Sequence, residues 1–167
     1  MDPSNDYLAL VRDALYARHM KQVGCFAFNQ ASDRVQEAGT PILPTLERVL
    51  RDEVMPRCPS DPSAQHQGFP GLGNLLVDYF RIARDGQMER AAEFLSSLRG
   101  PVLIEAIRAI STVWDHTIPS PFMPTIETAA RTGSPEEREI ASWSLDWHQN
   151  KPQIEEELAA SRKEMGL

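Results

Sequence analysis

The chain has 167 residues, which is the size of one domain and is enough to bury a hydrophobic core without disulfides or a structural metal. Hydrophobic residues make up 41% and charged residues 25%, a balance that excludes a disordered or fibrous protein. The net charge of −7 disfavours nucleic-acid binding, because an acidic surface repels phosphate, and favours a basic partner.

Helical periodicity dominates the sequence, and no apolar run is long enough for a membrane span. No stretch has a convincing strand pattern, and the only candidate is the four-residue stretch Cys25-Phe26-Ala27-Phe28. In chain order, the apolar spacing predicts helices over residues 7–20, 29–39, 41–56, 71–84, 88–98, 101–116, 121–130, 135–148 and 152–165. Residues 56–70 are rich in proline, which a helix interior does not accept, so we predict a loop that is either disordered or functional.

One motif occurs twice, 80 residues apart. Residues 41–47 and 121–127 share the frame P-x-[LM]-P-T-[LI]-E. A third copy lies between them, because the apolar positions of residues 88–95 align with those of residues 123–130 at an offset of 35. The partner helices keep the same offset, which indicates an internal repeat of helix pairs.

This pattern resembles the HEAT-repeat family of α-solenoids over about residues 40–148. The best match is Met123-Pro124-Thr125-Ile126, then Gly133-Ser134-Pro135, then Arg138, Ala141, Ser144 and Leu145. The resemblance implies an all-α fold, a short right-handed superhelix of stacked antiparallel helix pairs with a concave groove. The loop at 56–70 interrupts the first pair, and Arg138 has no equivalent in the earlier copies. Other repeats of helix pairs and a helical bundle without repeats remain the alternatives.

We therefore expect a single domain over residues 1–167. Residues 1–39 would cap one end, residues 40–148 would form about three helix pairs, and residues 151–167 would form a capping helix at the other end. The last helix is predicted to begin at Lys151-Pro152 and to have only a narrow apolar stripe with Ile154 and Leu158. Assembly as a homodimer through this helix is an alternative to a monomer.

Two similar tripeptides end second helices of the predicted pairs, Trp114-Asp115-His116 and Asp146-Trp147-His148. Aspartate and histidine are metal ligands, but adjacent residues do not face each other on a helix, so we predict no metal. Trp114 is instead expected in the core, and His116 and His148 are expected to be cations that are stabilised near helix C-termini.

Trp143 and Trp147 lie one helical turn apart and have two interpretations. Core packing is favoured by the neighbouring Ile140, whereas an exposed aromatic anchor for a partner is the alternative. The set of candidate binding residues is Trp114, Asp115, His116, Arg138, Trp143, Asp146, Trp147 and His148.

No nucleophile, phosphate loop or metal cluster can be recognised, so we predict no catalytic residues and no cofactor. The resemblance implies a non-catalytic protein-binding module whose groove is lined by residues 71–84, 101–116 and 135–148. Such an acidic protein would mask a basic partner, as an inhibitor or immunity-type protein does. The alternative is a HEAT-like enzyme or lyase that acts on a bound cofactor or nucleobase.

The two cysteines, Cys25 and Cys58, have no metal-binding spacing, and a disulfide between them remains open. Two thiols without such a framework are typical of a reducing compartment, and the first six residues lack the features of a secretory signal. We therefore expect a cytoplasmic location.

Overall fold

The computed structural model describes residues 3–16, 26–58 and 68–164, and every regular element in these ranges is helical. The α-helices are α1 (Pro3–Tyr16), α2 (Phe26–Ala38), α3 (Leu43–Arg48), α4 (Leu72–Ala83), α5 (Met88–Ser97), α6 (Gly100–Val113), α7 (Met123–Thr132) and α8 (Pro135–Glu164). Turns of 3-10 helix over Thr40–Ile42 and Ser120–Phe122 lead into α3 and α7, and a π-helical segment, Val49–Val54, continues α3. The prediction of an all-helical fold is confirmed.

Most predicted helix boundaries lie within a few residues of the observed ones. The first turns of three helical elements each contain a proline: Pro41, Pro101 and Pro121. A backbone N–H in the first turn has no acceptor within the helix, so its absence in proline costs no helical hydrogen bond. The strand candidate is wrong over Phe26–Phe28, which begins α2, and Cys25 lies outside the described residues. The end of the first predicted helix and most of the proline-rich loop, residues 59–67, also lie outside them. Over the described ranges, no helix is long and apolar enough to cross a bilayer.

The predicted break at Lys151-Pro152 is wrong, because α8 runs through Pro152 as one helix of 30 residues. A proline at this position removes only the helical hydrogen bond to the carbonyl of residue 148, and α8 continues without that bond. Residues 155–163 are exposed as well, and Leu158 keeps 54% of its surface. The end of α8 therefore extends into solvent instead of covering the other helices.

The core is organised around α4, which packs against α6, while α6 packs in turn against α8. Helix α7 packs on α8, and α5 contacts α7. The centre is aromatic: Phe80, Trp114 and Phe122 pack edge to face, with ring centroids 5.4 to 6.2 Å apart. Trp114, which the sequence predicts in the core, is partly buried and packs against it.

One carboxylate is buried between α2 and α4. Asp78 is only 2% exposed, and it accepts hydrogen bonds from Ser32 Oγ at 2.7 and 2.8 Å and from Gln36 Nε2 at 2.7 Å. Burial raises the pKa of Asp78 above its ordinary value, although these hydrogen bonds oppose the shift. The ionised form is therefore held in the fold at a cost in stability.

The pH dependence of stability follows from this shift. A raised pKa in the folded state means that the contribution of Asp78 to stability is largest below the unfolded pKa and is lost as the pH rises through the folded pKa. Asparagine keeps an acceptor for Ser32 and Gln36 but does not titrate. We expect Asp78→Asn to gain stability relative to the parent between about pH 4 and 7 in urea unfolding. The control is Asp85→Asn, which removes an exposed carboxylate and so measures the effect of net charge alone. If the difference in unfolding free energy between Asp78→Asn and the parent did not change with pH, the prediction would be contradicted.

Candidate binding groove

A groove of about 580 Å³ lies between α6 and the first half of α8. Its volume is within the range of pockets that bind small ligands or peptide side chains. Ile104 and Ile140 contribute the apolar part of its wall. The complete lining consists of Ile104, Arg108, Ser111, Thr112, His116, Glu136, Glu139, Ile140 and Trp143.

The beginning of α8 is attached to the beginning of α6 by one buried carboxylate. Glu137 accepts hydrogen bonds from the backbone N–H of Ser134 at 2.8 Å and from that of Gly100 at 2.5 Å. Ser134 Oγ in turn accepts from the N–H of Glu137 at 3.2 Å, which completes a capping box. A Cβ on Gly133 would lie 2.6 Å from the carbonyl oxygen of Ala129, so this sharp turn requires glycine. The two walls of the groove are therefore held at a defined distance.

At the other end, the turn after α6 is attached to α8. Lys151 Nζ donates to the carbonyl oxygen of Asp115 at 2.6 Å, to its carboxylate at 3.0 Å and to Thr117 Oγ1 at 3.2 Å. The hydrogen bond from Lys151 lowers the pKa of Asp115. The backbone N–H of Ile118 donates to His148 Nδ1 at 3.0 Å. These bonds stabilise a turn in which Asp115 and His116 have φ values of 49° and 60°, a conformation that costs energy for residues other than glycine.

An aromatic cluster closes this end of the groove. The ring of His116 stacks on Trp147 at 4.7 Å between centroids and meets Trp143 edge to face at 5.4 Å. Trp143 nevertheless keeps 41% of its surface exposed. The Nδ1 atom of His116 is buried without a hydrogen-bond partner among the described residues. The strained turn thus places a histidine ring against two indoles at the wall of the groove.

The charge of the groove is acidic. Arg108 lines it, but its guanidinium forms a 2.5 Å ion pair with Glu105 on the same helix. Glu136 and Glu139 form no ion pair with any residue in ranges 3–16, 26–58 and 68–164. Because the positive charge of Arg108 is already neutralised, these two carboxylates set the local potential.

The structure brings five of the eight candidate binding residues together at one end of the groove: Asp115, His116, Trp143, Trp147 and His148. The other three lie elsewhere. Trp114 is packed with Phe80, Asp146 is exposed outside the lining, and exposed Arg138 bonds the Gly133 carbonyl oxygen at 3.3 Å.

Two expectations about these side chains need correction. His148 does not end a helix as predicted, since α8 continues beyond it, and its Nδ1 instead accepts a hydrogen bond from the backbone N–H of Ile118. The favoured core position of Trp143 is also wrong, and the alternative of an exposed aromatic residue is the one observed.

Glu136 and Glu139, which make the wall of the groove acidic, could not be recognised from helix ends. Glu139 lies four residues before Trp143, and Glu136 lies four residues before Ile140, a spacing that places the members of each pair on the same face of a helix. This spacing was the available signal. The signal was hard to recognise because Ala141 and Ser144, on the neighbouring face of α8, are small residues that could equally belong to a buried face.

No group of three or more histidine, cysteine, aspartate or glutamate side chains is close enough to hold a metal ion within the described part of the chain. No family model, curated protein or solved structure matches the sequence or the fold. The function has to be inferred from the groove itself.

Proposed function

We propose that this chain is a non-catalytic protein-binding module that holds a basic segment of a partner protein in the groove between α6 and α8. The observation that carries the proposal is the exposure of Trp143. In the ranges that the structure describes, three large hydrophobic side chains are exposed, Tyr16, Trp143 and Leu158, and of these Trp143 alone lines the groove. Tryptophan is enriched among the residues that dominate binding energy at protein interfaces.

Stacked helix pairs are the architecture that we infer for this module. The packing order of α4, α6 and α8 supports a HEAT-like solenoid, because second helices of consecutive pairs are neighbours in such a stack, and a right-handed superhelix is the hand that we propose for it. An extended groove along these helices then binds a chain segment rather than a compact ligand.

Charge complementarity supports a basic occupant. Glu136 and Glu139 lie in the groove, and residues 134–167 carry eight acidic and four basic residues. A positive segment gains both local ion pairs and long-range attraction to a chain with a net charge of −7. The resulting interaction would mask a basic surface of the partner in a reducing, cytoplasmic setting.

A displayed library of random peptides tests this function on the whole protein. We expect selected peptides to share an apolar or aromatic residue flanked by lysine or arginine. Trp143→Ala is expected to weaken their binding by at least about 10-fold, since it removes the aromatic anchor. Leu158→Ala removes an exposed side chain of the same helix outside the groove, and it should leave binding unchanged.

The salt dependence of binding is a second arm of this experiment. Association of the selected peptides should slow steeply as salt is added, because attraction between opposite charges is screened. Peptides without a consensus, or equal loss of binding for both variants, would contradict the proposal. Tighter binding of a single-stranded oligonucleotide than of any peptide would also contradict it and would favour the nucleobase alternative.

A further inference from the structure

We infer that the side chain recognised at Trp143 is an arginine, whose guanidinium lies on the exposed indole and pairs with Glu139; this inference rests on the proposed function. Glu139 and Trp143 both line the groove and are four residues apart on α8, so their side chains lie on the same face of the helix. An indole face and a carboxylate at this spacing offer two different attractions to one planar cation.

The chemistry of the wall excludes the other common anchors. An anionic side chain would meet two carboxylates, Glu136 and Glu139, whose charge is not balanced within the described residues. A neutral aromatic side chain would cover Trp143 but would remove water from these carboxylates without replacing its hydrogen bonds. A cation meets neither penalty.

Arginine satisfies this site better than lysine does. Its guanidinium is flat, weakly hydrated and able to stack on an aromatic ring while its edge donates two hydrogen bonds to one carboxylate. The lysine ammonium is compact and strongly hydrated, so it loses more hydration free energy when it approaches the indole. The guanidinium of Arg108 does not take this place, because it is already bonded to Glu105 on α6.

The rigidity of the wall favours a stacked cation. Trp143 contacts two rings: that of His116 edge to face at 5.4 Å and that of Trp147 at 6.1 Å between centroids. These contacts restrict the indole while Trp143 stays 41% exposed. A preorganised aromatic surface loses less conformational entropy when it binds.

Titration of single blocked amino acids into 15N-labelled protein tests the inference without a peptide partner. N-acetyl-arginine N-methylamide is expected to shift the indole N–H signal of Trp143 saturably. The same derivative of citrulline, which has the shape of arginine without its charge, should shift it little. Glu139→Gln should weaken arginine binding by about 3-fold or more, because it removes a charged partner. Glu156→Gln, which removes an exposed carboxylate of α8 far along the helix from Trp143 and outside the groove, is the matched control.

The outcomes separate this inference from the proposed function. If selected peptides bind at Trp143 but arginine and citrulline derivatives behave alike, arginine recognition is overturned while peptide binding stands. The opposite outcome is that the arginine derivative shifts the Trp143 signal and Glu139→Gln weakens its binding, but no peptide is selected from the library. In that case the arginine site is supported and the protein-binding function fails. Equal weakening by Glu139→Gln and Glu156→Gln would show a general charge effect and would overturn the inference.

Discussion

Replacement of Gly71 by alanine is expected to destabilise the protein by about 3 kcal/mol or more, because it inserts a methyl group into a backbone contact. A Cβ at Gly71 would lie 1.9 Å from the carbonyl oxygen of Ala14 and 2.9 Å from that of Leu15. The N–H of Gly71 also donates to the Leu15 oxygen at 2.8 Å. The end of α1 can escape the methyl group only by moving away from α4, which would expose the buried side chains of Val11 and Leu15.

The matched control for this variant is Gly73→Ala in the first turn of α4. Its Cβ would meet only the end of the Glu105 side chain, at 3.1 Å, and this flexible group can move. Alanine is the better helix former by up to about 1 kcal/mol, so this variant should be neutral or stabilised. Urea unfolding at one pH compares the two variants, and equal free energies of unfolding for them would refute the role given to Gly71.

Loss of Arg90 is expected to cost about 2 to 3 kcal/mol, because it leaves a buried charge without its cation. Glu47 is only 9% exposed, and its carboxylate accepts from Arg90 Nε at 2.7 Å, from Arg90 Nη2 at 2.8 Å and from Tyr79 Oη at 2.8 Å. Burial, with the charge of Glu47 next, raises the pKa of Tyr79, and the hydrogen bond to Glu47 raises the pKa of Arg90. This network connects α3, α4 and α5.

Arg90→Met keeps the apolar stem of the side chain and removes its donors, so it isolates this effect. Arg34→Met is the control, because it breaks an ion pair whose two side chains, Arg34 and Asp13, are both more than half exposed, and it should cost less than about 1 kcal/mol. The triple replacement Glu47→Leu, Tyr79→Phe and Arg90→Met removes every polar member and should recover much of the loss. If Arg90→Met were as stable as Arg34→Met in urea unfolding, Glu47 would not depend on Arg90.

The repeated motif illustrates how far local patterns reach. Glu47 and Glu127 end the two copies of the same frame, and both segments form a 3-10 turn followed by a helix. Glu47 is buried in the network with Arg90, whereas Glu127 is exposed. The local conformation was predictable from the motif, but the role of the glutamate depends on which helix lies next to it.

The candidate site shows the same division. The tripeptides that contain His116 and His148 were singled out by their composition, and the structure does bring these two regions together. The left-handed turn after α6 separates the two neighbouring rings. It lets Trp114 pack against the core while His116 stacks on Trp147. No periodic pattern encodes such a change of direction, because it is stabilised by Lys151 and His148 from another helix.

The amino-acid sequence by itself determined that this protein is helical and where most helices begin and end, since proline, glycine and capping residues act on the nearest turn of backbone. Tertiary structure alone decided which face of α8 is buried and whether Pro152 interrupts it. Small Ala141 and Ser144 are 0% and 1% exposed, so this face is the one that packs inward, and Trp143 is left at the groove. Close approach between helices selects a face by shape as well as by hydrophobicity, and shape is a property of both partners.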